Sequence, residues 1–159
     1  MGIDLVEWMI RGAAGDFAML DAPAPQPKGH AIQVRLYAED PALDYRPTSG
    51  TLTAVSFPGD IRAETWCMAG TTVSAWYDPM LAKLIVHAAT RAEAVTAMQQ
   101  ALDASRVDGI ETNLRWLRDV VRAAPFVAGD VSTRLLDGLN FGPRGIRVIS
   151  GGTATTVQD

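Results

Sequence analysis

Gly70-Thr-Thr-Val-Ser-Ala-Trp-Tyr-Asp-Pro-Met-Leu-Ala-Lys-Leu-Ile-Val-His87 is the stretch whose reading decides the fold. It opens with small and polar residues, passes through the aromatic pair Trp76 and Tyr77, and turns at Asp78-Pro79. Leu81, Leu84, Ile85 and Val86 then form an apolar run short enough to be a buried strand over residues 81–88. The Asp-Pro turn ahead of it pins the register.

On the N-terminal side, residues 30–38 alternate. His30, Ile32, Val34 and Leu36 fall on one side, and Gln33, Arg35 and Tyr37 on the other. Period two predicts a half-buried strand. Residues 51–57 are rich in β-forming side chains and predict another strand. Pro58-Gly59-Asp60 turns into a third over 61–68, with Arg62, Glu64 and Trp66 on one face. On the C-terminal side the period changes. Thr90-Arg-Ala-Glu93 reads as a capping box, and Val95, Met98, Ala101 and Leu102 fall on the inner face of a helix to residue 104. Gly109 marks a short strand or turn over 106–110. Thr112 or Asn113 is the candidate cap of a second helix reaching residue 123, and Ser132 or Thr133 of a short one ending at 139.

At the other end of the chain, Leu5, Val6, Met9, Ile10 and Ala13 share a face of a helix over residues 3–14. Asp4 and Glu7 suit its start, Arg11 its end, and Gly15 its stop. Asp21 to Pro27 holds three prolines and reads as an extended connector. Residues 145–150 read as a strand-like tail, and something new begins at Gly151-Gly152. Strands first and helices packed behind them give an α+β class with an antiparallel sheet.

The 159 residues make one domain with a short tail, able to bury roughly two thirds of the unfolded surface. Apolar residues are 48% and charged ones 20%, as in ordinary globular proteins. A net charge of −4 argues against a nucleic-acid partner, since no excess of cations would drive counterion release. No apolar run reaches the length of a membrane span. With one cysteine, Cys67, and no visible secretion signal, the cytoplasm is the expected compartment.

No phosphate loop, nucleophile elbow or metal-spaced His/Cys set is present, and no metal site is expected. Gly12 to Gly15 lies at a helix end and lacks a lysine. The plain readings are a packed histidine for His30 and for His87, a small core residue for Cys67, and core aromatics for Trp66, Trp76 and Tyr77. Asp78 caps its own turn. Lys83 has a structural partner or extends its charge to solvent. Arg62, just past a Pro-Gly-Asp turn at the mouth of a strand, stands out chemically: a guanidinium offers fixed donors to a planar anion and keeps its charge. The plain alternative is a solvated surface arginine.

Six motifs in order resemble a known family. They are Gly2 to Gly15 (GIDLVEWMIRGAAG), Gly29 to Pro41 (GHAIQVRLYAEDP), Pro47-Thr-Ser-Gly50, Ile61-Arg-Ala-Glu64, Tyr77 to Lys83 (YDPMLAK) and Asp108 to Asn113 (DGIETN). The chain is similar over roughly residues 1–140 to the C-terminal domain of biotin carboxylase in the biotin-dependent carboxylases. Ser105 to Leu114 and the tail from Ile146 resemble the urea carboxylase and urea amidolyase branch. Ala75-Trp76 departs from the Pro-Tyr usual there.

The resemblance implies a biotin carboxylase C-terminal domain over residues 1–142, then a linker and the first residues of a carboxyltransferase domain over 143–159. It implies an enzyme in which ATP and bicarbonate give carboxyphosphate and then carbon dioxide, and biotin's ureido nitrogen attacks it. It places Arg62 as the fixed cation facing biotin's oxyanion, and Asp108 near the biotin site and a dimer contact. ATP, Mg and bicarbonate would be bound mainly by an ATP-grasp portion of the same polypeptide. Further implied partners are a biotin carboxyl carrier domain, the carboxyltransferase domain and a second copy in a homodimer. The chain is expected to be a fragment that is inactive alone. The alternatives are the same domain from a carboxylase acting on guanidine or an acyl-coenzyme A, and a non-catalytic dimerisation module.

Overall fold

The computed structural model of the chain describes residues 3–139, 141, 145–150 and 153–158. Helix α1 (Leu5–Ala13) starts where the Asp4 carboxylate accepts from the amides of Val6 and Glu7, at 2.9 and 3.0 Å. That satisfies donors which the first turn leaves unpaired. After a 3₁₀ turn (Ala18–Leu20) and the proline-rich connector come β1 (His30–Tyr37), β2 (Glu39–Asp40), β3 (Arg46–Pro47), β4 (Gly50–Thr51), β5 (Ala54–Ser56), β6 (Arg62–Thr65), β7 (Thr72–Val73) and β8 (Met80–Ala88). Then follow α2 (Arg91–Ala104), β9 (Arg106–Asp108), α3 (Leu114–Val120), α4 (Ala124–Ala128), and β10 (Gly145–Ser150) paired with β11 (Thr153–Gln158).

The central sheet has the order β1-β8-β6. Every ladder is antiparallel, as the α+β reading requires. Strand β8 pairs on both sides, with Ile85 opposite Gln33 and Arg62, and Lys83 opposite Arg35 and Glu64. One face carries Ile32, Val34, Leu36, Leu84 and Val86, all buried. Helix α2 covers that face with Ala94, Val95, Met98, Ala101 and Leu102. The capping box at Thr90 and Glu93 is formed in both directions, at 3.2 and 2.9 Å. At the other end of α2, Arg118 of α3 donates to the carbonyls of Leu102 and Ser105, occupying acceptors that the last turn leaves open.

Several expectations change. The strand over 51–57 is two short strands, because the chain switches partners in the middle. Leu52 is fully buried and exchanges backbone hydrogen bonds with Thr71 and Gly70. The next amide, Thr53, donates to Asp108. Here the backbones run so close that a Cβ on Gly109, at φ +110°, would lie 2.2 Å from the Thr51 carbonyl oxygen. The strand over 61–68 stops at Thr65, whose hydroxyl then accepts from Cys67 N and donates to Leu81 O.

Helix α1 forms, but none of its residues is buried. Helix α3 ends at Val120, and Trp116 is buried beside Leu114. A separate helix α4 follows from Ala124, with Pro125 in its first turn, where its missing N–H costs nothing, and Gly129 at φ +83° closes it. The last element before the tail is a 3₁₀ turn, Leu135–Gly138. Gly151 and Gly152 lie outside the described residues.

Asn113, a candidate cap, makes no side-chain cap. Its carboxamide instead accepts from Tyr37 N at 2.9 Å and donates to Arg35 O at 3.2 Å, and its amide donates to Tyr37 O. One buried residue thus continues the sheet past the open edge of β1. Asn113→Ala leaves the Tyr37 amide without its side-chain acceptor, so urea denaturation is expected to show a loss of about 1–3 kcal/mol.

Candidate functional site

Directly opposed residues in an antiparallel ladder project to the same face. Gln33, Arg35, Lys83, Ile85, Arg62 and Glu64 therefore share the face of the central sheet opposite the one that α2 covers. Gln33, Arg35, Arg62 and Glu64 are exposed, and Lys83 and Ile85 half-buried. The same alternation that builds the core thus gathers charge on the far side.

Arg62 has 73% of its side chain exposed, against 41% for Glu64. Its Nε donates to Glu64 Oε1 at 2.6 Å, and neither Nη has a partner among the described residues. The hydrogen bond from Arg62 and its positive charge hold the Glu64 carboxyl below its ordinary range, and Lys83 adds to the effect. Arg62 lines an open cleft of about 560 Å³ together with Asp60, Ile61, Ile85, His87 and Gln100. Glu64 lines a smaller hollow of about 250 Å³ with Trp66, Met80 and Lys83.

Asp108 lies on a different ladder, opposite Ala54, and its carboxylate takes the Arg106 Nε at 2.5 Å. Arg62 and Asp108 are each paired to a residue two positions away, not to each other. Both histidines are exposed, contrary to the packed reading. His87 sits near the C-terminal end of β8, where its Nε2 donates to Lys28 O at 2.7 Å and so ties down the connector. His30 is the first residue of β1, ahead of the first buried position at Ile32.

Trp66, Trp76 and Tyr77 are 56%, 90% and 84% exposed, so they are not core. They lie off the paired strands, where the sheet's alternation no longer directs side chains inward; Trp66 uses its Nε1 to donate to Met80 O. Cys67 is buried, and that burial pushes its thiol up. Asp78 caps its turn by accepting from Met80 N at 2.8 Å. Sequence reasoning passed over Glu64 as a functional residue. Its signal was the i, i+2 spacing from Arg62, which on a strand places both on one face.

Among the described residues no group of three His, Cys, Asp or Glu could hold a metal ion, and no helix is long and apolar enough to cross a membrane. Residues 33–138 match the family model described as "Biotin carboxylase C-terminal domain". Urea amidolyase from Lachancea kluyveri is 46% identical over 99% of this chain, which corresponds to 9% of that protein. The solved Kluyveromyces lactis urea carboxylase is 45% identical with a TM-score of 0.83, over 89% of this chain and 13% of that one. The biotin carboxylase domain dimer of Hydrogenobacter thermophilus 2-oxoglutarate carboxylase, solved in complex with MgADP and bicarbonate, is 32% identical with a TM-score of 0.73, over 86% of this chain and 30% of that one. The chain thus spans about a tenth of the length of the urea amidolyase it matches.

A carboxylate held low by a cation stabilises the native pairing above the ordinary carboxylate range and loses that contribution as pH falls through the lowered value. An NMR titration is therefore expected to place the Glu64 midpoint below that of an ordinary glutamate, and Arg62→Ala to raise it again.

Proposed function

The chain belongs to the biotin carboxylase C-terminal domain family, and from that premise we propose that it supplies part of the biotin site of an ATP- and bicarbonate-dependent biotin carboxylase, in a protein of the urea carboxylase or urea amidolyase kind. The urea assignment rests on the 46% and 45% identities to a urea amidolyase and a urea carboxylase. In this reading residues 1–142 are the family domain and 143–159 lead into a carboxyltransferase domain. The separate pairing of β10 with β11 supports a boundary there.

The observation that carries the site is Arg62: an exposed guanidinium whose two Nη groups have no partner among the described residues, on a charged sheet face. That fits an anionic ureido oxygen. Biotin, when bound, supplies the ureido nitrogen that takes up the carboxyl group. Arg62 supplies a cation fixed in advance beside the oxygen where negative charge develops, the arrangement through which active sites stabilise transition states most strongly. Asp108 is a second contact on the strength of the resemblance alone, since its carboxylate is engaged by Arg106.

No described residue of this chain is assigned to Mg, for want of a ligand cluster. ATP, Mg and bicarbonate belong in this reading to an ATP-grasp portion of the same polypeptide. The carrier and carboxyltransferase domains are its other partners, with the cytoplasm as compartment. A homodimer is supported by the dimeric Hydrogenobacter thermophilus relative.

In the full-length carboxylase, Arg62→Ala is expected to cut biotin carboxylation about 10²- to 10³-fold while ATP still binds. Equal loss of both would make Arg62 merely structural. The chain by itself is expected neither to cleave ATP nor to carboxylate free biotin, and bicarbonate- and biotin-dependent phosphate release by it would refute that.

A further inference from the structure

We infer that Glu64 is the positioning residue of the site: its carboxylate fixes the Arg62 guanidinium by the Nε edge and leaves the Nη fork free for an anion. The inference rests on the reading of Arg62 given above and adds the group that makes an exposed arginine usable.

Strand β6 is the edge of the central sheet, with no strand beyond it among the described residues. An arginine there is free to sample many rotamers, and a cation that wanders does little for a reacting oxygen. Glu64 removes that freedom. It stands two residues on, hence on the same face, and accepts from Arg62 Nε at 2.6 Å, within the range of charge-assisted hydrogen bonds. Glu64 is itself placed by the register, directly opposite Lys83 on β8, which pairs on both sides. The half-buried Lys83 is flanked in turn by Arg35 of β1. The register thus sets where Glu64 stands, and Glu64 in turn sets the guanidinium at the rim.

The manner of contact matters as much as its presence. An end-on pair between Arg62 and Glu64 would occupy both Nη groups, the fork that planar anions use. The observed side-on pair uses Nε and leaves them open. The pair also contributes little to folding, because ion pairs this exposed are weak in water. Its effect is to be sought in turnover and not in stability.

The test uses the full-length carboxylase with Arg62→Ala, Glu64→Ala, Glu64→Gln and the double variant Arg62→Ala/Glu64→Ala. Glu64→Ala is expected to lower kcat/KM for biotin carboxylation between about ten- and a hundredfold, with the KM for ATP and the unfolding temperature unchanged. Glu64→Gln, whose amide oxygen can still accept from Nε, is expected to recover part of the loss. In the Arg62→Ala background, removing Glu64 should cost nothing further, the signature of residues acting as a unit. Full activity in Glu64→Ala beside a large loss in Arg62→Ala overturns the role of Glu64 and leaves that of Arg62 standing. So do additive losses in the double variant. Full activity in Arg62→Ala sinks the underlying reading instead. If Glu64→Ala does not fold, Glu64→Thr, which removes the carboxylate and suits an exposed strand, is held to the same outcomes.

Discussion

Strand β8 is paired along both edges, and that double pairing constrains the rest of the domain. Because side chains alternate along a strand, fixing its register fixes which residues face α2 and which face away. Leu84 and Val86 join Ile32, Val34 and Leu36 under the helix, while Lys83 and Ile85 join Arg35, Gln33, Glu64 and Arg62 on the open side. A slip of one residue would bury the lysine and expose the leucine. The apolar face therefore guards the placement of the charged one.

The layer behind the sheet is closed by polar contacts at its ends. Arg118 occupies the terminal carbonyls of α2, Gln99 donates to Val121 O across the helix pair, and Asn113 completes the free edge of β1. These groups join α2, α3 and β1 where apolar packing alone would let them slide. The charged face then lies on a support whose edges and helix ends are satisfied, which lets an exposed pair such as Arg62 and Glu64 hold one geometry.

Much of this was legible in the chain. The alternation of residues 30–38, the Asp-Pro turn before β8 and the Thr90 to Glu93 box each carry their geometry in a local pattern, and each appears as read. What was not legible depended on partners distant in sequence. Residues 51–57 look like one strand, because propensity cannot show that Leu52 pairs towards Thr71 while Thr53 turns to Asp108. The exposed aromatics Trp66, Trp76 and Tyr77 look like core, because composition does not record that they lie off the sheet. Asn113 looks like a cap, because its acceptor role reaches back to Tyr37 across 76 positions of sequence.

By itself the sequence determined the α+β class, the buried face of β1 and β8, the capped helix behind them and the prominence of Arg62, since periods of two and about 3.6, turn residues and charge are all local properties. The tertiary structure alone decided that Arg62 is held side-on by Glu64, that Lys83 stands opposite that glutamate, and that Asp108 lies on another ladder with Arg106. Cross-strand neighbours are set by register, and register comes from the burial of a whole face at once, which no short window of sequence contains.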